Sequence, residues 1–353
     1  MSLIVYAALL AAAYMAWRHG AARALLAVYL PMLLLIPDAF RAITPGLPDP
    51  NFNQAAIIPV AIAAALSHGR FWRPAPLDLL MILFALCVAW SDYSARGYDA
   101  AQNLVFAMLC SVIGPYTVAR LLTASDPALH VRLARRIVAL VFVVGLIGVW
   151  EARFGYNPFM ALIGPLFPGQ GTGWVTTFRH GMARVAGPFS HAILAGIMMA
   201  ITYRLHRWLQ QRGEWQRAPL PGMGWMPWAP DQVMRVALLA ALFMTVARGP
   251  WLGALVGSGI AHVAMARNPR RAIWLSLAGL LLGGLICGAL LANYLDISPG
   301  QAMTMSQESA LYRKVLFQKY FDIALDHMWF GCGLTDWPKV PGMESIDNYY
   351  LLL

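Results

Sequence analysis

The chain has 353 residues, 59% of them hydrophobic and 12% charged, with a mean hydropathy of +0.59. A soluble domain carries about 25% charge, so this composition excludes an ordinary water-soluble protein and points to the lipid bilayer. The net charge of +10 does not indicate nucleic acid: the arginines lie in short loops between apolar runs, with no dense basic run among them.

Apolar runs recur along the chain and predict an all-α fold, a polytopic transmembrane helical bundle forming one integral domain over 1–353. Spans are expected at about 2–17, 22–37, 54–67, 77–90, 103–122, 137–152, 187–206, 232–247, 250–266 and 272–294. An eleventh starts near Asn348 and is cut off at Leu353. Met1 to Trp17 carries no basic start, so it reads as an uncleaved first span rather than a secretory signal.

Alternate loops differ in charge. One set holds Arg18, Arg23, Arg70, Arg73, Arg120, Arg132, Arg135, Arg136, Arg204, Arg207, Arg212, Arg217, Arg235, Arg267, Arg270 and Arg271. That excess of short-loop arginine predicts the cytoplasmic side and puts the N-terminus outside. Residues 232–266 carry arginine at both ends on the same predicted side, so the segment is expected to cross twice, with Gly249-Pro250 as the break. Arg248 then stands at the outer tip of a helical hairpin.

Two outer loops are long. Residues 153–186 are rich in glycine, proline and aromatics. Residues 295–347 hold a predicted amphipathic helix, with Ser306 as N-cap and Leu316, Tyr320, Ile323 and Ala324 along one face. Such a helix rests on the membrane surface or roofs a cavity. The stretch 210–231 reads as a proline- and glycine-rich cytoplasmic connector.

Ionisable residues avoid the centres of the predicted spans and collect at the outer face, which favours a reaction at the membrane–water boundary over ion-coupled transport. Arg184 and Arg248 each stand at a span end, where an arginine either snorkels to lipid headgroups or grips a phosphate. His191 and His180 flank Arg184; either is a satisfied polar group or an acid–base group. Asp347 is an N-cap aspartate, a general base, or both. Gly331-Cys332-Gly333 reads as a turn. Cys87, Cys110, Cys287 and Cys332 form no CxxC, and no Asp-x-Asp pair occurs, so no disulfide framework, metal or cofactor is expected.

Four motifs together resemble the O-antigen ligase and polymerase superfamily of bacterial inner-membrane proteins. They are Arg184-x-x-Gly187-Pro188-Phe189, Ala247-Arg248-Gly249-Pro250-Trp251-Leu252, Trp329-Phe330-Gly331-Cys332-Gly333 and Asp347-Asn348-x-Tyr350-Leu351. The resemblance covers roughly residues 140–353. It implies an undecaprenyl-diphosphate-linked glycan as donor, Arg184 and Arg248 on the diphosphate, and Asp347 as base. Gly187, His191, Asn348, Arg313 and Lys314 complete the expected substrate-binding set. The resemblance also implies a periplasmic active face, and a chain truncated at its C-terminus, since the family continues through one or two more spans. Ligases of that superfamily usually carry histidine where this chain has Asp347, which favours a polymerase of O-antigen or exopolysaccharide over a ligase acting on lipid A-core. The acceptor is then another glycan, and polysaccharide assembly partners are expected. A flippase of lipid-linked oligosaccharide and a non-catalytic assembly subunit are the competing readings.

Overall fold

The computed structural model describes residues 2–215, 230–295, 305–328, 331–333 and 337–342. The α-helices are α1 (Tyr6–His19), α2 (Ala21–Ala24), α3 (Leu30–Leu35), α4 (Phe52–His68), α5 (Pro76–Arg96), α6 (Tyr98–Met108), α7 (Gly114–Ser125), α8 (Leu129–Phe154), α9 (Pro158–Ile163), α10 (Ala192–Gln211), α11 (Pro230–Met244), α12 (Arg248–Ala264), α13 (Pro269–Leu295) and α14 (Met305–Asp326). One two-residue hairpin, β1 (Phe178–Arg179) with β2 (Met182–Ala183), is the sheet among the described residues. Turns of π type, Leu25–Tyr29 and Leu109–Ile113, join α2 to α3 and α6 to α7. The protein is therefore all-α and multi-pass. Among the described residues, four stretches are long and apolar enough to cross a membrane, Phe52–Phe71, Pro76–Arg96, Ala101–Ser125 and Leu129–Phe154.

The chain forms two compact units. The first is Met1–Pro76 with Phe106–Gly259; the second is Leu77–Val105 with Ile260–Leu353. In the first, α1 packs on α4, α4 on α7, and α8, α10 and α11 pack on one another. Val138, Val141 and Val144 of α8, Met199 of α10, and Leu238 and Ala241 of α11 are buried in one hydrophobic core. Glycine sets its spacing: a Cβ on Gly145 would stand 3.0 Å from the Ala241 Cβ, so α8 and α11 approach more closely there than larger residues allow.

Within the second unit, the predicted helix forms as α14. It begins at Met305, which puts Ser306 inside the first turn rather than at the cap. Leu316 and Tyr320 are buried on one face, as the spacing requires, but they pack on Trp337 and Val340 of the same chain. The Val340 N–H donates to the Tyr320 hydroxyl at 3.1 Å. Part of the apolar face is thus covered by the polypeptide itself. Gly331 and Gly333 take positive φ, as a turn demands, and the Gly333 N–H donates to the Ser91 Oγ of α5 at 3.1 Å.

Several boundaries differ from the sequence expectation; helix α8 begins at Leu129, eight residues before the expected 137. Helix α5 runs on to Arg96, past the expected end at 90. The span expected from 187 starts at Ala192, because Gly187 has φ 60° and His191 supplies the cap, its Nδ1 accepting the Ile193 N–H at 3.1 Å. The break in 232–266 falls at Thr245–Ala247 rather than at Gly249-Pro250. Val246 takes φ 48° there, and Pro250 sits in the first turn of α12, where its missing N–H costs nothing.

Candidate functional site

The hairpin expected around Arg248 does form, and the contacts of α10 fix its geometry. Gln210 near the end of α10 donates to Asp231 at the start of α11 at 2.7 Å, while a Cβ on Gly196 would meet Thr245 Oγ1 at 3.0 Å. Helix α11 therefore runs antiparallel to α10. The same Cβ on Gly196 would stand 2.8 Å from Pro250, and one on Gly257 would stand 4.0 Å from Arg204 Cγ, so α12 runs parallel to α10. Residues 245–250 are the tip of an antiparallel pair, at the N-terminal end of α10.

The tip satisfies its own backbone. The Leu242 carbonyl accepts from the Thr245 hydroxyl at 2.7 Å and the Trp251 Nε1–H at 2.9 Å, and the Val246 N–H donates to Phe243 O at 3.0 Å. The Trp251 ring stacks on Phe243 with centroids 4.5 Å apart. Arg248, the first residue of α12, is exposed and has no hydrogen bond or ion pair among the described residues.

Arg184 reaches the same tip from α8. Helix α8 ends at Gly155 in the left-handed region, and Asn157 caps α9. The chain then returns through the β1–β2 hairpin, whose turn residues His180 and Gly181 take φ 52° and 74°, the mirror-image turn that suits a two-residue connection. Leaving β2, the Arg184 N–H donates to Thr177 O at 2.9 Å and the Val185 N–H donates to Met244 O at 3.1 Å. The Arg184 Nε–H donates to Thr245 O at 3.4 Å, three residues before Arg248. Arg184 is only 7% exposed and has no ion pair among the described residues. Burial, then the like charge of Arg179, push its pKa below the usual arginine range. The site is hostile to the cation it holds, and an incoming anion would relieve it.

Two cavities open at this end. One of about 660 Å³ is lined by Arg153, Phe154, Phe178, Met182, Phe243 and Trp251. The other, an apolar groove of about 700 Å³, starts at Gly249 and Pro250 and runs between α10 and α12 to Arg204 and Trp208.

Of the residues expected from sequence, Arg184, Gly187, His191 and Arg248 thus lie at one end of the first unit. Arg313 and Lys314 are exposed on α14 in the second. Asp347 and Asn348 lie outside the described residues. Sequence reasoning missed Glu151 and Asn157. Glu151 is fully buried, its Oε2 accepting the N–H groups of Ala186 at 3.2 Å and Gly187 at 2.8 Å. Asn157 Nδ2 donates to the Gly187 carbonyl at 2.6 Å. A lone acid in the apolar run Val149-Trp150-Glu151-Ala152 was the available signal.

Residues 233–352 match the family model of O-antigen ligase. That match is to about a third of the chain, and it supports a likeness to the O-antigen ligase/polymerase superfamily. No curated protein and no solved structure matches the chain. The matched stretch contains the Arg248 tip, α12 to α14 and the Asp347 motif; Glu151 and Arg184 precede it.

Proposed function

We propose that the protein transfers glycan from an undecaprenyl-diphosphate carrier to a sugar hydroxyl at the periplasmic face of the bacterial inner membrane, polymerising O-antigen or exopolysaccharide units. The observation that carries this reading is a buried arginine without an ion pair among the described residues, hydrogen-bonded to the hairpin tip that presents a second arginine. Two guanidinium groups, with planar forks that match phosphate oxygens, suit a diphosphate better than a single headgroup charge. The apolar groove starting at Gly249 accommodates the carrier's hydrocarbon tail, and the aromatic-lined cavity beside Arg153 accommodates the first sugar.

In the proposed reaction the acceptor hydroxyl oxygen attacks C1 of the donor sugar. The C1–O bond to the diphosphate breaks, its electron pair stays on the leaving phosphate oxygen, and the anomeric centre inverts. Asp347 takes the hydroxyl proton. Arg184 and Arg248 stabilise the charge that grows on the leaving group, so the step needs no metal. Removing one such preorganised donor costs about 3 kcal/mol in the barrier, on the order of 100-fold or more in rate.

The test uses purified protein and a lipid-diphosphate repeat unit, with glycan length as the readout. Arg184→Lys and Arg248→Lys each remove the fork and keep the charge; each is expected to cut turnover by about two orders of magnitude. Normal chain length from both variants would overturn the proposal. A second reading, ligation to lipid A-core, has the matched family's description in its favour. Supplying lipid A-core and free glycan in competition separates the two by the product that forms.

A further inference from the structure

Glu151 lies where it cannot touch a substrate, yet it makes more hydrogen bonds to the arginine-bearing segment than any other side chain described. Its two oxygens face different arms of one loop. Oε1 accepts the Thr176 hydroxyl at 3.0 Å on the chain entering the β1–β2 hairpin. Oε2 accepts the Ala186 and Gly187 N–H groups on the chain leaving it. The carboxylate therefore closes the neck of residues 176–187, the segment that carries Arg179, His180 and Arg184. The neighbourhood leaves little play. A Cβ on Gly148, one turn earlier in α8, would stand 2.8 Å from Val185 Cγ1, so the α8 backbone presses directly on the residue after Arg184. Gly187, at φ 60°, presents its N–H to the carboxylate and its carbonyl to Asn157.

A buried carboxylate carries a large desolvation penalty unless donors surround it. Here the donors are two backbone N–H groups and one hydroxyl, and no cation stands within salt-bridge distance among the described residues. A core carboxylate that merely filled space would be replaced by leucine at a gain. One that holds a loop against a helix does something an apolar residue cannot.

We propose that Glu151 is a positioning residue that fixes the Arg184 guanidinium relative to the α11–α12 tip, and so sets the spacing of the diphosphate clamp. The inference rests on the reading that Arg184 binds diphosphate. Glu151→Gln is the informative variant. It keeps the shape, offers one carbonyl oxygen to Ala186 and Gly187, and turns its amide toward the Thr176 hydroxyl, which accepts. What it removes is the charge that makes these bonds strong.

Two measurements test this. Hydrogen exchange on the full chain in nanodiscs reads the neck itself: amides 186 and 187 should exchange about tenfold faster in Glu151→Gln than in wild type. Unchanged exchange there would overturn the proposal whatever the ligand. The second is a double-mutant cycle on binding of undecaprenyl diphosphate, using wild type, Glu151→Gln, Arg184→Lys and the double variant. If Glu151 acts through Arg184, Glu151→Gln weakens binding about tenfold alone and adds less than about twofold on top of Arg184→Lys. Losses that multiply would assign Glu151 to general stability instead. If the wild-type protein fails to bind the diphosphate, the proposed function falls, while the exchange result still decides whether Glu151 holds the neck.

Discussion

Gly196→Ala is the sharpest probe of the link between the two arginines. The added Cβ would meet Pro250 Cβ and Cγ at 2.8 Å and Thr245 Oγ1 at 3.0 Å, all at the hairpin tip. Carbon atoms pack at about 3.5–4.0 Å, and a proline ring in the first turn of a helix has no rotamer to yield, so the tip must retreat by roughly 1 Å. Overpacking of this kind costs about 1–3 kcal/mol, offset by about 1 kcal/mol from the better helix propensity of alanine. Stability should therefore fall by no more than about 2 kcal/mol, leaving a folded protein. Turnover should suffer far more, since a 1 Å displacement of a catalytic group costs about 100-fold. The control is Gly259→Ala in α12, where nothing stands within 4 Å of the new Cβ and turnover should be unchanged. Glycan length from a complemented null strain and the thermal midpoint in detergent give the two readouts. Wild-type turnover in Gly196→Ala would refute the claim that α10 sets the position of the tip.

Further outcomes follow from the same geometry. Gly187→Ala places a side chain at φ 60° and 3.1 Å from Val144 Cγ1, so the thermal midpoint should drop by an amount equivalent to about 1–3 kcal/mol. His191→Ala removes the cap of α10 and should cost about 1 kcal/mol of stability, which His191→Asn restores because asparagine is a favoured N-cap. Asp347→Asn should lower turnover by about 10²–10⁴-fold without weakening undecaprenyl-diphosphate binding; near-normal turnover would leave Asp347 with no role as base.

The helices were legible because a bilayer demands long apolar runs, and α4, α12 and α13 stand within about three residues of where those runs lie. The hairpin was legible from charge parity, since Arg235 and Arg267 needed the same side. Its break point was not. Proline and glycine at 249–250 are the ordinary breakers, yet the chain turns at Val246, a β-branched residue that rarely takes positive φ. Hydrogen bonds from the Thr245 hydroxyl and the Trp251 indole to the Leu242 carbonyl hold that turn, and no local pattern encodes them. The site was half legible for a similar reason. Arginines at span ends stand out against apolar sequence, whereas the pairing of Glu151 with Ala186 and Gly187 joins residues about 35 positions apart. An acid at the end of an apolar run gives no sign of whether it meets water or a buried loop.

The Val185 N–H that donates to the Met244 carbonyl ties the Arg184 strand to the hairpin beneath Arg248. If Arg184 and Arg248 grip the diphosphate as proposed, this bond favours jaws that keep their spacing from one cycle to the next. A spent carrier leaves such a grip with one more negative charge than the donor brought, because the ester to the sugar is gone. Immobile cations hold the product harder than the starting material, so on this reading departure of the empty lipid, rather than bond-making, sets the pace of polymer growth.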